Sequence, residues 1–352
     1  FKEEEDQYKE YRHDTHLITD IMKEEKLDRL QVRRGGAVYE FKQGDYYKNG
    51  QPFDYHEARS FIIDLLGRGQ ETEEKAGERK RVLSLLKDDI EFTRQQDLQD
   101  VAEKIGTIEK EYGIKIDYQT ALDDYEFKGK PVTNISALLQ ALAELEKGMN
   151  LYPEGLISTS GLKKLLLFSE LKTAKGKNVG GLTEGTVIRI VLDDIVNGFH
   201  HELFHEFDQK NGNADNEKWA AQNPNGKKDY LFTSGVEAVN AGYDVKNFDG
   251  FATTYGKAGG MNEDQADVSA SVIGTGKFYF LERIKDDTVL RNKVQMMTGC
   301  EFALDTEKHS YTCTRTLTLE EYKNKFGFQN YQYWYSWSQG KMDANFWNKI
   351  WK

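Results

Sequence analysis

Phe199-His200-His201-Glu202-Leu203-Phe204-His205-Glu206 holds three of the chain's seven histidines within six residues. On a helix, His201 and His205 stand four apart, on one face and one turn above the other. Two imidazoles so placed can close on one zinc ion, with Glu202 beside it to take a proton from water. The bland alternative is a helix carrying surface histidines.

The flanks favour the metal. Upstream, Thr186-Val187-Ile188-Arg189-Ile190-Val191-Leu192 is a β-branched apolar run that predicts a strand. Asn197 is the expected cap of the helix, whose Phe199, Leu203, Phe204 and Phe207 turn part of its surface to a core. Two histidines leave an ion short of a ligand, so a third is expected downstream. The first choice is Glu263, in Gly259-Gly260-Met261-Asn262-Glu263-Asp264-Gln265-Ala266-Asp267. Asn262 is the expected cap there, and Glu263 and Asp267 are four apart on the helix that follows. One carboxylate can bind the ion while the other holds a ligand histidine's N–H. Glu237, in Ser234-Gly235-Val236-Glu237-Ala238, and the aspartates Asp264 and Asp267 stay open as alternative ligands.

With these residues the sequence resembles the gluzincins, zinc peptidases with two histidines and a glutamate. The Gly-Gly-x-Asn-Glu-x-x-x-Asp string looks like the third-ligand segment of thermolysin-like enzymes. The longer gap from His205 to Glu263, with Tyr255 shortly before the glutamate, is more like the anthrax lethal factor and Pro-Pro endopeptidase group. The resemblance spans roughly residues 186 to 275. It implies Zn2+ on His201, His205 and Glu263, with Asp267 supporting a ligand histidine, Glu202 as general base and Tyr255 assisting the oxyanion. It also implies an endopeptidase acting on a protein or peptide. Such a substrate is expected to lie extended and to add its backbone to the edge strand before the metal helix. Two other classes stay open: a zinc hydrolase of a non-peptide bond, and a binding protein that keeps the fold without turnover.

A net charge of −11 and 30% charged residues set the wider frame. That balance argues against nucleic acid as a partner, because phosphate binding needs clustered lysine and arginine. An anionic membrane surface is disfavoured for the same reason, and no apolar run has the length of a membrane span. Cys300 and Cys313 are the only cysteines. A bridge between them would close a short loop and contribute about 3 kcal/mol. With a chain that begins at Phe1 rather than methionine, this leads to the expectation of a secreted protein. Oligomeric state is not legible.

Three regions are expected along the chain. Residues 1–110 are highly charged and mainly helical in pattern, with an apolar stripe of Ala58, Phe61, Ile62, Leu65 and Leu66 from Asp54 onward. Leu98, Val101, Ile105, Ile108 and Tyr112 suggest a helical packing seam. Glu71 to Arg81 is a charge run, expected to be a solvated helix face or linker. From residue 111 to 290 strands and helices alternate: Ile114-Lys115-Ile116, a helix of Ile135, Leu138, Leu139, Leu142, Leu145 and Met149 behind Asn134, then Leu165-Leu166-Leu167-Phe168. A zincin-like α+β core follows, a mixed sheet packed on helices that include the metal helix. Asn211 to Asp229 carries turn signals and is expected to be a loop beside the cleft. Residues 291–352 form an aromatic-rich subdomain, in which Tyr331, Tyr333, Tyr335 and Trp337 alternate as in a strand. His13 and His16, three apart without a further ligand, are expected at the surface.

Overall fold

The computed structural model describes residues 16–42, 44–66, 75–210, 216–274, 277–305, 310–326 and 341–351. They divide into two compact units. The first runs up to Lys104 and includes Asn134–Gln140; the second comprises Ile105–Thr133 and Ala141 onward, so residues past 290 fall within it.

In the first unit, Gly35 and Gly36 adopt φ of 56° and 79°, the left-handed pair that a two-residue hairpin turn requires. They join β1 (Arg29–Arg34) to β2 (Ala37–Lys42), with Arg34 opposite Ala37. β3 (Asp45–Lys48) and β4 (Gln51–Pro52) continue the antiparallel meander. Helices α1 (16–24), α2 (Tyr55–Leu66) and the part of the long α3 (Lys75–Tyr112) up to Lys104 also belong to this unit. Ile18, Ile21, Leu30, Phe41, Ile62 and Leu86 meet in one core. The region is mostly helical as expected, but its four-stranded sheet was not anticipated. The expected seam on α3 also fails at one position. Leu98 is 45% exposed, while Asp97 is buried and takes the side chain of Arg29, whose Nε donates to it at 2.6 Å. That ion pair occupies the inward position, so the register of the buried face differs from the apolar pattern. The charge run enters α3 at Lys75; residues 71–74 lie outside the described residues.

The second unit is built on a mixed sheet of β5 (Lys115–Asp117), β6 (Leu122–Asp123), β7 (Phe127–Pro131), β8 (Lys164–Thr173), β9 (Gly181–Glu184) and β10 (Val187–Val191), so the chain is α+β. The order is β6-β7-β8-β10-β9, with β5 beside the start of β8. β10 and β5 run parallel to β8, whereas β7 and β9 pair antiparallel with their neighbours. Leu165 to Phe168 are all buried, which explains a continuous apolar run on a strand covered on both faces. Helix α4 (Ile135–Met149) starts where Asn134 Oδ1 accepts the Ala137 N–H at 3.1 Å, and the short α5 (Leu156–Ser160) precedes β8.

β10 passes through a 3-10 turn, Leu192–Asp194, directly into α6 (Ile195–Lys210). Because that turn already bends the chain, the helix begins two residues before Asn197, which is not its cap. Gly198 allows α6 to lie close on β10: a Cβ there would come within 3.0 Å of Ile190 Cδ1. The strand before α6, β10, is internal to the sheet. The edge strand alongside is β9.

Beyond α6 come α7 (Asn216–Ala220), α8 (Gly235–Ala241), α9 (Thr254–Gly259), α10 (Met261–Ile273), α11 (Lys277–Asp286) and α12 (Thr288–Thr298). The segment expected as a loop therefore contains a helix, held by the fully buried Trp219; residues 211–215 lie outside the described residues. A hairpin of β11 (Cys300–Asp305) and β12 (Ser310–Thr316) carries the Cys300–Cys313 disulfide. Of the C-terminal aromatic residues, Trp347 and Trp351 are buried, and their ring nitrogens donate to Thr298 O at 3.2 Å and Val272 O at 3.1 Å. The alternating stretch Tyr331 to Trp337 lies outside the described residues, as does His13; His16 is exposed. Among the described residues, no helix is long and apolar enough to cross a membrane.

Candidate metal centre

α6 and α10 bring the predicted ligands together. α10 starts at Gly260, whose φ of 98° and close approach to the Phe232 and Thr233 carbonyl oxygens exclude a side chain. Gly260, and not Asn262, is thus its cap residue. Asn262 lies one residue inside the helix, where the backbone is already helical. Glu263 and Asp267 then face α6 from successive turns.

His201 Nδ1 lies 2.9 Å from Asp267 Oδ1, placed to donate its N–H to that carboxylate. His201 Nε2 lies 3.1 Å from His205 Nε2 and 3.0 Å from Glu263 Oε2, while His205 Nε2 and Glu263 Oε2 are 3.4 Å apart. Among the described residues this is the group of acidic, His or Cys side chains whose donor atoms converge enough to share an ion. A tetrahedral ion with bonds of about 2.0 Å sets its ligands roughly 3.3 Å apart, so the donor spacing and the nitrogen–oxygen chemistry both fit zinc.

The local charge points the same way. Burial would raise the Glu263 carboxyl, but His205 and His201 outweigh it and hold the group far below the usual carboxylate range. Burial would lower His201, yet its hydrogen bonds to Asp267 and Glu263 prevail and set it well above an ordinary histidine. His205 moves the same way, burial being outweighed chiefly by Glu263. Burial raises Glu202 against the pull of both histidines. Glu202, Glu263 and Asp267 therefore surround two imidazoles with more negative charge than neutral rings can balance, a setting that favours a cation.

Glu202 is oriented by Thr183 on β9, whose hydroxyl is 2.7 Å from Glu202 Oε2 and 2.9 Å from the Glu202 carbonyl oxygen. The other carboxylate oxygen, Oε1, faces Gly181, where a Cβ would intrude to 2.6 Å. Tyr255 on α9 stands with its ring 6.0 Å from that of His201. Its hydroxyl and Glu263 Oε1 both lie against the backbone of Gly235, at 2.0 and 2.6 Å from where a Cβ would be. Burial, reinforced by Glu263, keeps this phenol protonated far above its ordinary range. His201, Glu202, Tyr255 and Asp267 line one cleft of about 500 Å³.

No protein-family model and no curated protein matches this chain. Among solved structures it is similar to a crystal structure described as a "putative zinc-binding metallo-peptidase" from Bacteroides caccae, at 18% identity and a TM-score of 0.38. The similarity covers 58% of this chain and 84% of that one. A likeness this distant says nothing of activity.

The alternative carboxylates are engaged elsewhere. Glu237 is exposed on α8 and turns back to accept from the Thr233 N–H at 3.3 Å and its hydroxyl at 3.0 Å. Asp264 points to the far side of α10, where its Oδ2 accepts from Trp219 Nε1 at 2.8 Å, Tyr230 Oη at 2.9 Å and Lys293 Nζ at 2.7 Å. Asp264 and Lys293 are both fully buried, and Lys293 also donates to the Gly250 carbonyl. Losing one partner of such a pair generally costs about 3–5 kcal/mol, so this hub fixes the helix that presents Glu263. His200, the remaining histidine of the motif, is buried with its Nδ1 2.8 Å from the Tyr152 hydroxyl. Burial pulls it down to about 4, and it serves packing.

Sequence reasoning missed Thr183, Thr253 and the Asp264–Lys293 hub. Thr253 caps α9 and donates its hydroxyl to Asp267 Oδ2, so Asp267 is held between Thr253 and His201. Of the signals, only the Gly180-Gly181 pair was readable, because paired glycines at a strand start mark a close approach. No described residue of 216–229 lines the cleft.

Proposed function

We propose that this chain is a zinc-dependent endopeptidase. The observation that carries the reading is the convergence of His201 Nε2, His205 Nε2 and Glu263 Oε2 beside a carboxylate, Glu202, that is not consumed as a ligand. A purely structural zinc site is closed by four protein ligands and has no use for a buried base next to it. Zinc held by these three residues supplies a Lewis acid and lowers the pKa of water. Glu202 Oε1, left open by Gly181, takes the proton of the attacking water and delivers it to the leaving amine. Thr183 keeps the other oxygen of that carboxylate in place. Asp267 holds His201 in the tautomer that presents Nε2. Tyr255, kept protonated, donates its hydroxyl to the oxyanion that develops on the substrate carbonyl. The spacing from His205 to Glu263 and the tyrosine before it support kinship with the lethal factor and Pro-Pro endopeptidase group. The disulfide suits an oxidising, extracellular setting.

Protein purified without added metal is expected to hold one zinc per chain by elemental analysis, and to cleave members of a diverse peptide library. A chain that neither contains zinc nor takes it up in titration ends this reading. Zinc without cleavage of any peptide, but with turnover of another carboxylic derivative, moves it to a non-peptide hydrolase. Tyr255→Phe is expected to keep its zinc and to slow turnover by on the order of 100-fold. If that variant works at the parent rate, Tyr255 returns to a packing role.

A further inference from the structure

Asp194 stands at the end of the 3-10 turn that leads into α6, seven residues before His201. Asp194, Gly198, His201 and His205 follow the i, i+4, i+7, i+11 spacing of a single helical face. Asp194 stands at the N-terminal end of α6, about 10 Å of helix rise before His201. Both line the same cleft, as does the bare backbone of Gly198 between them. The adjoining walls are small as well: Gly180 on the β9 side, Ala270 and Ser271 on α10. A Cβ on Gly180 would come within 2.3 Å of Asp194 Oδ2, so the glycine leaves that oxygen room.

Asp194 is exposed, and its carboxylate has no hydrogen-bond or ion-pair partner among the described residues. That sets it apart from the other acidic residues of the cleft, since Glu202 is held by Thr183 and Asp267 by His201 and Thr253. No lysine or arginine lines the cleft among the described residues, so nothing there neutralises Asp194. An open recess with one unpaired carboxylate at its end favours a long, positively charged substrate side chain. Arginine fits best, because its planar fork can engage both carboxylate oxygens, and lysine can follow as a point charge.

We propose that Asp194 is a specificity-determining residue that selects arginine or lysine on one side of the scissile bond. The proposal rests on the peptidase reading of the neighbouring site. In the full-length zinc-loaded protein, fluorogenic peptides are compared that differ only by Arg, Lys, Gln or Glu at each position flanking the cleaved bond. At one position Arg or Lys is expected to exceed Gln in kcat/KM by about tenfold or more, with Glu the poorest. Asp194→Asn should bring the Arg-to-Gln ratio near unity, and Asp194→Lys should reverse the order in favour of Glu. A parent enzyme without basic preference at any flanking position, or an Asp194→Asn variant that keeps it, overturns the proposal.

A binding arm separates this from failure of the peptidase reading. Calorimetric titration of zinc-loaded Glu202→Gln protein with Arg-containing and Gln-containing peptides should show the same preference, lost when Asp194→Asn is added. If it does so while the parent cleaves no peptide, the binding preference stands and the peptidase reading falls. Equal binding of both peptides sinks the selection by Asp194.

Discussion

Glu202→Gln is expected to retain its zinc and to lose on the order of 10²–10⁴-fold in kcat/KM on any peptide the parent cleaves. The amide has nearly the shape of the carboxylate, so Thr183 can still hold its oxygen, and neither histidine nor Glu263 loses a partner. What disappears is the capacity to accept a proton at Oε1, the atom that Gly181 leaves open. Burial raises the Glu202 carboxyl above its ordinary range, which moves it toward the basicity a proton shuttle needs near neutral pH. Zinc content and single-substrate kinetics on the same preparation check both halves. A variant that cleaves like the parent would show that another group is the base.

Helix α6 was the most legible part of this chain, because its candidate ligands and candidate base lie close together along one helix. His201, Glu202 and His205 need only the 3.6-residue period to share a site, and the apolar Phe199, Leu203, Phe204 and Phe207 are buried as their spacing implies. Glu263 and Asp267 were readable for the same local reason, though they stand some sixty positions away and only the fold brings them to the histidines. The two cap residues chosen, Asn197 and Asn262, were both misplaced. In each case the turn before the helix, a 3-10 turn at Leu192–Asp194 and a positive-φ glycine at Gly260, starts the helix ahead of the asparagine.

Long-range pairing was the illegible part. The sheet of the first unit was signalled only by Gly35-Gly36, set between short runs in which tyrosine and glutamate mask the alternation. Leu98 and Asp97 exchanged their expected places because an arginine on a distant strand neutralises the aspartate, and no local pattern records a partner 68 residues away. Lys293 is the extreme instance. A lysine is ordinarily a surface residue, and its burial follows only from Asp264, the Gly250 carbonyl and the Phe251 ring 4.0 Å from its ammonium.

Replacement of Glu263 by alanine is expected to abolish cleavage and to weaken zinc binding well beyond the roughly 10–100-fold that loss of an outer-shell partner costs. Only His201 and His205 would remain, and two protein ligands do not hold a catalytic zinc. Asp267→Ala provides the graded comparison: all three donor atoms persist, but His201 loses the acceptor that fixes its tautomer. Zinc affinity should fall within that 10–100-fold range, and some activity should return at saturating metal. Glu237→Ala is the negative control, since its carboxylate is turned to Thr233 and exposed. The three variants can be ranked by zinc competition with a chromogenic chelator, beside activity measured at several zinc concentrations. Full zinc retention in Glu263→Ala, with zinc lost from Glu237→Ala instead, would mean that the downstream carboxylate had been assigned to the wrong residue. Equal losses in Glu263→Ala and Asp267→Ala, both repaired by excess metal, would instead make the two carboxylates alternative supports of a site whose third ligand lies elsewhere.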